Sequence, residues 1–154
     1  MATVLRAEWL IRFRSMAAWQ HSLGVVKSSG FERSEGSCAD EPALQCAKQC
    51  AKRVERAAFR LPYEPRCLPK AMALQWSLRH HGIPSRLVVA MRKQYQVSGE
   101  AEIARLLEDG NRFHAWVDLG DDMLIGHCER SEYRPIFAFD LSPIIAPAAG
   151  GAQG

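Results

Sequence analysis

The chain has 154 residues, of which 47% are hydrophobic and 24% are charged, and its formal net charge is +3. This length and composition predict one globular domain with its own core and argue against a largely disordered chain. The mild basic charge also argues against a dedicated nucleic-acid-binding protein, which usually concentrates more positive charge on one face.

The N-terminal segment shows no targeting signal. Arg6, Glu8 and Arg12 interrupt its apolar stretches, which leaves no hydrophobic region of ~7–15 residues. No apolar run elsewhere approaches the ~20 residues needed to cross a bilayer, so we expect no membrane span and a cytoplasmic location. In that reducing compartment, five cysteines are typical of free thiols, metal ligands or a nucleophile, and less typical of a disulfide framework.

Helical patterns occupy the first half of the chain. Apolar residues at near-helical spacing predict a helix over 3–22, and glycines and serines predict a loop over 24–38. Asp40 and Pro42 are typical of the first turn of a second helix, which we expect to end before Pro62.

A third helix is predicted from Cys67, with Pro69 in its first turn, to Gly82, which suits the left-handed position after a helix. Beyond it the pattern becomes extended, because short β-branched or aromatic segments alternate with turn residues. The predicted strands are RLVVAM at 86–91, FHAWVDL at 113–119 and MLIGHC at 123–128, with a hairpin turn, GDD, at 120–122.

The order of elements predicts an α+β fold in which N-terminal helices are followed by an antiparallel meander. A capped helical pattern at 98–110 predicts a short helix between the first two strands. We divide the chain into an N-terminal helix and loop at 1–40, a main domain at 41–143 and a disordered tail at 144–154.

Cys67 is a candidate nucleophile because of its place at the start of a helix. The first N–H groups of a helix have no intrahelical partner, and the macrodipole there favours an anion such as a thiolate. His114, on a later strand, is the candidate base, and the free amides would form an oxyanion hole. From these residues alone, a structural cysteine and an unrelated histidine remain the commoner interpretation.

Two segments resemble the transglutaminase-like leader peptidases of lasso-peptide biosynthesis. They are RLPYEPRCLPKAMALQWSLRHHGIPSRLVVAM and HAWVDLGDDMLIG, with a weaker similarity in EYRPIFAFD. The resemblance implies a papain-like cysteine peptidase fold in which Cys67 is the nucleophile and His114 the general acid/base, with no cofactor and no metal.

The resemblance also implies partners. The substrate would be the leader of a ribosomally made precursor peptide, and a separate ATP-dependent cyclase would close the released core into a macrolactam. In this family a small winged-helix domain commonly recognises the leader. The segment before Asp40 is too short for such a domain, so we expect a separate leader-recognition protein.

The sequence departs from the family at the residue that orients the histidine. The family commonly has an aspartate on the strand after HAW, and an ungapped count reaches Gly126 instead. Asp118 lies four residues along the strand from His114, too far to contact the ring at ~3.3 Å per residue. Glu129, Asp140 or a backbone carbonyl are the alternatives that stay open.

The second departure is the spacing of Cys67 and His114, which are 47 positions apart, more than we expect for the family. The excess falls at 95–110. We interpret this segment as a surface insertion that either acts as a lid or docking element or has no specific role.

Other candidate sites have simpler interpretations. Cys46 and Cys50 lie one helical turn apart and would form a zinc site with Cys38, His127 or Cys128, although buried free cysteines are the favoured interpretation.

The histidines at 80 and 81 suit the end of a helix and need no catalytic role. Trp116 is either a core residue or a wall of the substrate cleft. Two other functions stay open, a transglutaminase-type acyl transferase and a non-enzymatic binding module.

Overall fold

A computed structural model describes three segments of the chain, residues 2–27, 40–94 and 112–141. Several predicted features lie outside these residues: Cys38, most of the predicted loop, the helix at 98–110 with the insertion at 95–110, and the tail at 144–154. The elements are α1 (Ala2–Phe13), α2 (Met16–Trp19), a 3-10 turn (Gln20–Ser22), β1 (Val25–Lys27), α3 (Glu41–Phe59), α4 (Cys67–His80), β2 (Arg86–Arg92), β3 (Phe113–Leu119), β4 (Asp122–Ile125), a second 3-10 turn (Arg130–Glu132) and β5 (Tyr133–Asp140).

The predicted α+β class is confirmed. The main helices lie in the N-terminal half, and the five described strands form one sheet in the order β1-β5-β2-β3-β4. Each neighbouring pair is antiparallel. The predicted meander is correct for β2, β3 and β4, but β5 returns to the other side of β2, so the sheet as a whole is not a meander.

The prediction of one helix over 3–22 is wrong. The helix ends at Phe13, and a short helix and a 3-10 turn follow. This break turns the chain so that the Trp19 ring lies 6.4 Å from the Phe139 ring in the core. The predicted loop also begins with a strand, β1, in which Val26 pairs with Phe139 of β5.

The strand predicted at 123–128 is too long. It ends at Ile125 because Gly126 has a φ of 75°, a left-handed conformation that interrupts an extended chain. The hairpin turn predicted before it is confirmed, since Leu119 pairs with Asp122 across Gly120 and Asp121.

Helix α4 is the centre of the main core. It contacts α1, α3 and strands β2 and β3, so most of its surface is covered. One sheet face supplies Leu87, Val89 and Phe139 to this core, and α4 supplies Met72 and Leu74. The predicted boundary at residue 40 stays a prediction, although α1 packs directly on α4.

Gln75 fixes α4 against the rest of the fold. Its fully buried side-chain nitrogen donates to the carbonyls of Leu23, Ser85 and Phe139 at 3.1, 3.4 and 3.0 Å, and the Ser85 hydroxyl donates to its oxygen at 3.0 Å. A buried amide is stabilising only when its groups are paired in this way. The network therefore sets the position of α4 relative to β2 and β5.

Within the described segments, none of the helices has the length and apolar character that a bilayer crossing requires.

Candidate active site

The N-terminus of α4 holds Cys67 as its first residue. Arg66, at the N-cap, makes no side-chain capping bond, so the first amides of the helix are not occupied by that side chain. The backbone N–H groups of Leu68 and Ala115 lie close enough to the sulfur to lower the pKa of the Cys67 thiol. The half-buried thiol thus faces two amide donors and the positive end of the helix dipole.

Cys67 approaches strand β3 at an open edge. On one side, β3 pairs with β2 from Phe113 to Asp118, but on the other side its ladder with β4 begins only at Val117. The first half of β3 therefore keeps one edge without a partner strand in this ladder. The Cys67 Sγ lies at this edge, 4.0 Å from the Phe113 carbonyl oxygen.

His114 lies on this first half of β3, close enough to Cys67 for each side chain to shift the pKa of the other. Its Nε2 is 2.9 Å from the carbonyl oxygen of Gly126. Because a carbonyl only accepts, Nε2 carries the proton, which leaves Nδ1 to face the Cys67 sulfur. The structure therefore brings together the two residues that the sequence singled out.

The two partners shift each other's pKa in opposite directions. Burial alone raises the pKa of the Cys67 thiol, but the hydrogen bond and charge of His114, with the amides of Ala115 and Leu68, outweigh burial and lower it. The pKa of His114 is raised, mainly by its hydrogen bond with Cys67 and also by the Gly126 carbonyl, against burial and the nearby Lys70. Both directions favour a thiolate and an imidazolium.

Gly126 lies where the leader peptidases that the sequence resembles commonly have an aspartate. With a φ of +75°, it turns its carbonyl towards His114, and an added Cβ would lie 2.3 Å from the Ala115 carbonyl oxygen. Any other residue would be both strained and sterically blocked. The backbone carbonyl, one of the three alternatives, is therefore the acceptor that contacts the ring.

The other two alternatives have different partners. Glu129 accepts a hydrogen bond from the Ser131 hydroxyl at 3.0 Å. Asp140 pairs with Arg86 at 2.6 Å. In the sheet, Asp140 of β5 pairs with Arg86 of β2. His114 of β3 pairs with Ala90 of β2, and Ala90 pairs with Pro135 of β5. Asp140 therefore lies several residues along the sheet from the ring.

Asp118 contacts a residue that packs beside His114. It accepts from the Trp116 indole N–H at 2.8 Å and from Arg130 at 2.6 Å. The rings of Trp116 and Tyr133 lie 6.3 and 5.4 Å from the His114 ring, so they limit how that ring can turn. The alternation of Trp116 with His114 indicated a shared face, but no spacing signal pointed to Tyr133 or Arg130.

Comparison with known families agrees with this geometry. Residues 7–138 match the family model described as the transglutaminase-like superfamily. The chain belongs to the transglutaminase-like superfamily. This membership confirms the predicted fold and supports cysteine peptidase or acyltransferase chemistry. Comparisons with curated proteins and with solved structures found no match.

A cavity lies near the start of α4 in this transglutaminase-like chain, and neither Cys67 nor His114 is among its lining residues. It has a volume of ≈ 620 Å³ and lies between the end of α3, the connection that leads to Cys67, and Lys70 one turn into α4. Phe59 and Tyr63 contribute exposed aromatic rings, and Glu55 and Glu64 contribute carboxylates. Its size and mixed lining suit a side chain or short segment of a peptide.

The remaining cysteines of the described segments are Cys128, Cys46 and Cys50. Cys128 is half-buried against the cluster that contains Trp116. Cys46 and Cys50 lie on α3, where they meet His81. Of the predicted partners, His127 and Cys128 do not belong to this group, and Cys38 lies outside the described residues. The sequence could not identify His81, because its approach depends on how α3 and α4 pack.

Proposed function

We propose that this protein is a cysteine peptidase that removes the leader from a lasso-peptide precursor. The observation that carries the peptidase chemistry is the proximity of Cys67, at the N-terminus of α4, to His114, whose Nε2 is held by the Gly126 carbonyl. The choice of substrate is supported by the resemblance of the two sequence segments that contain these residues.

In the first half of the reaction, the Cys67 thiolate attacks the carbonyl carbon of the bond between leader and core. The negative charge that develops on the carbonyl oxygen is stabilised by the amides at the start of α4 and by the Ala115 N–H. His114 then donates its proton to the departing core nitrogen. This step releases the core with a free amine and leaves the leader as a thioester on Cys67.

In the second half, water attacks the thioester. His114, now neutral, accepts the proton of that water through Nδ1, while Nε2 stays bonded to the Gly126 carbonyl. The leader leaves as a carboxylate and the thiolate is restored. A separate ATP-dependent cyclase would then join the free core amine to a side-chain carboxylate, and a separate leader-recognition protein would deliver the precursor.

The cavity near the start of α4 is where we place the peptide. Lys70 borders it and lies close enough to His114 to influence the imidazole charge, so the cavity and the pair are neighbours. A peptide held there by Phe59 and Tyr63 would extend towards the first turn of α4, where Cys67 would attack the bond to be cleaved. The cavity would thus hold the peptide so that the bond to be cleaved is in position for attack by Cys67.

The test is mass spectrometry of a leader-containing precursor incubated with this protein, the recognition protein and the cyclase. We expect a free leader and a core lighter by one water with the wild type. Cys67→Ala should release neither product, whereas Cys128→Ala, a second half-buried cysteine variant, should release both. Leader release that persists in Cys67→Ala, or an intact precursor with the wild type, would contradict the proposal.

A labelled primary amine, added to the same reaction, separates hydrolysis from acyl transfer. Both reactions form a thioester on Cys67, and they differ only in whether water or an amine captures it. The proposal predicts an unlabelled leader carboxylate. Incorporation of the amine into the peptide would instead identify a transglutaminase-type acyl transferase.

A further inference from the structure

A second group of sulfur and imidazole ligands lies at the opposite end of α4 from Cys67. Cys46 and Cys50 are one turn apart on α3, and His81 directly follows α4. The two sulfurs and one imidazole nitrogen all lie within 4.8 Å of one another. Since α4 has 14 residues, this group is about 20 Å from Cys67 at 1.5 Å per residue and is separate from the active site.

The distances fit a metal site with small side-chain adjustments. Tetrahedral zinc binds sulfur at ≈ 2.3 Å and imidazole nitrogen at ≈ 2.0–2.1 Å, which places the ligand atoms ~3.5–3.8 Å from one another. The Cys46 and Cys50 sulfurs lie within 4.8 Å of each other, so the two sulfurs converge. Packing of α3 on α4 accounts for two adjacent cysteines on α3. It does not require that His81, a third side chain able to bind a metal, lies beside them.

We propose that Cys46, Cys50 and His81 bind a zinc ion that joins α3 to the end of α4. Two thiolates and one imidazole are a ligand set that zinc prefers over magnesium or calcium. Water would complete the tetrahedron, because His81 is exposed and leaves the site open to solvent. The ion would hold together the two helices whose other ends border the cavity near the start of α4.

The surrounding charges are compatible with this ion. His81 lies at the C-terminus of α4, where the helix dipole favours a cation. Arg53 lies near Cys46 and favours its thiolate form. Cysteine binds zinc as a thiolate, so binding must release the thiol protons. The metal affinity should therefore rise with pH.

The test is titration of the EDTA-treated full chain with Co²⁺, which reports thiolate coordination through a near-ultraviolet charge-transfer band. We expect one equivalent to bind and to be displaced by Zn²⁺. His81→Asn should weaken Co²⁺ binding by at least the ~10–100-fold that is expected when a residue that only hydrogen-bonds a metal ligand is lost. This variant alters an exposed side chain, so it should not disturb the fold.

Two control variants make the result specific. His80→Asn changes the neighbouring exposed histidine, whose ring lies 5.6 Å from that of His81, and Cys67→Ala removes the active-site thiol. Both should keep the cobalt band. Zn²⁺ should also raise the melting temperature of the wild type more than that of His81→Asn. No stoichiometric binding, or equal binding by the wild type and His81→Asn, would overturn the zinc site without affecting the peptidase proposal.

Discussion

The two ends of α4 place cysteine in opposite electrostatic environments. At both Cys67 and Cys46, burial raises the pKa of the thiol. At Cys67, the His114 imidazole and two backbone amides outweigh burial, so the pKa falls. At Cys46, the neighbouring Cys50 thiol adds to the effect of burial, so the pKa rises.

Because burial raises the pKa of both thiols, the opposite directions follow from their partners. A thiol beside an imidazole and the N-terminus of a helix is prepared to act as a nucleophile. A thiol beside a second thiol stays protonated until a metal ion displaces its proton. One helix thus carries the proposed catalytic site at its first turn and the proposed metal site just beyond its last.

The largest effect is expected from His114→Ala. Leader release should fall by about 10³-fold or more, because the thiolate and the proton donor are lost together. Initial rates of leader release measure the effect. A rate within about 10-fold of the wild type would show that His114 takes no part in the proton transfers.

Gly126→Ala should have the next largest effect, because the added Cβ meets the Ala115 carbonyl and displaces the acceptor of His114. Gly82→Ala is the matched control. Gly82 also has a positive φ, of 67°, but no other atom lies within 4 Å of the position that an added Cβ would take. Alanine at 82 should cost about 1–2 kcal/mol of folding free energy from backbone strain alone. Alanine at 126 should cost more.

The same pair of variants separates strain from catalysis. Misplacing a catalytic group by about 1 Å can cost 10²-fold in rate, so Gly126→Ala should slow leader release by at least about 10-fold. Gly82→Ala should leave the rate within about 2-fold of the wild type. Equal rates for the two variants, compared at a temperature where both are folded, would show that the Gly126 carbonyl does not position His114.

Gln75→Met should destabilise the fold by about 2–4 kcal/mol, because it leaves buried carbonyls and the Ser85 hydroxyl without their partner. Gln45→Met, on the exposed face of α3, loses only a bond to Glu41 and should change stability by less than about 0.5 kcal/mol. Urea unfolding measures both. Similar urea midpoints for the two variants would show that Gln75 does not hold α4 in place.

The smallest effect is expected from Phe59→Ala. Phe59 is 92% exposed, so its loss should leave stability within about 0.5 kcal/mol. If the cavity holds the peptide, KM should rise by a few-fold while kcat stays unchanged, because a binding contact away from the reacting atoms is lost. An unchanged KM would place the peptide elsewhere.

Much of the site could be predicted from local sequence. Cys67 was identifiable because Pro69 and the apolar spacing after it mark the start of a helix, and His114 because it lies in an alternating strand pattern. The acceptor of His114 was harder to predict, since every residue has a backbone carbonyl. Only the glycine at 126, which permits a positive φ, gave a local signal.

Features that depend on distant contacts were missed. Strand β1 is three residues long and exists through pairing with β5, which lies far along the chain. The partner of Cys46 and Cys50 was sought in Cys38, His127 and Cys128, but the packing of α3 on α4 brings His81 to them. Local propensity carries no information about such pairings.

The most direct test of the account is the pH dependence of iodoacetamide alkylation at Cys67 and Cys46, followed by peptide mass spectrometry in EDTA-treated protein. Alkylation follows the thiolate fraction, so Cys67 should titrate below an ordinary thiol and Cys46 above it. In His114→Ala, the Cys67 titration should move to higher pH, because burial remains and the stabilising imidazole is gone. A Cys67 that titrates with Cys46, or that does not respond to His114→Ala, would contradict the account.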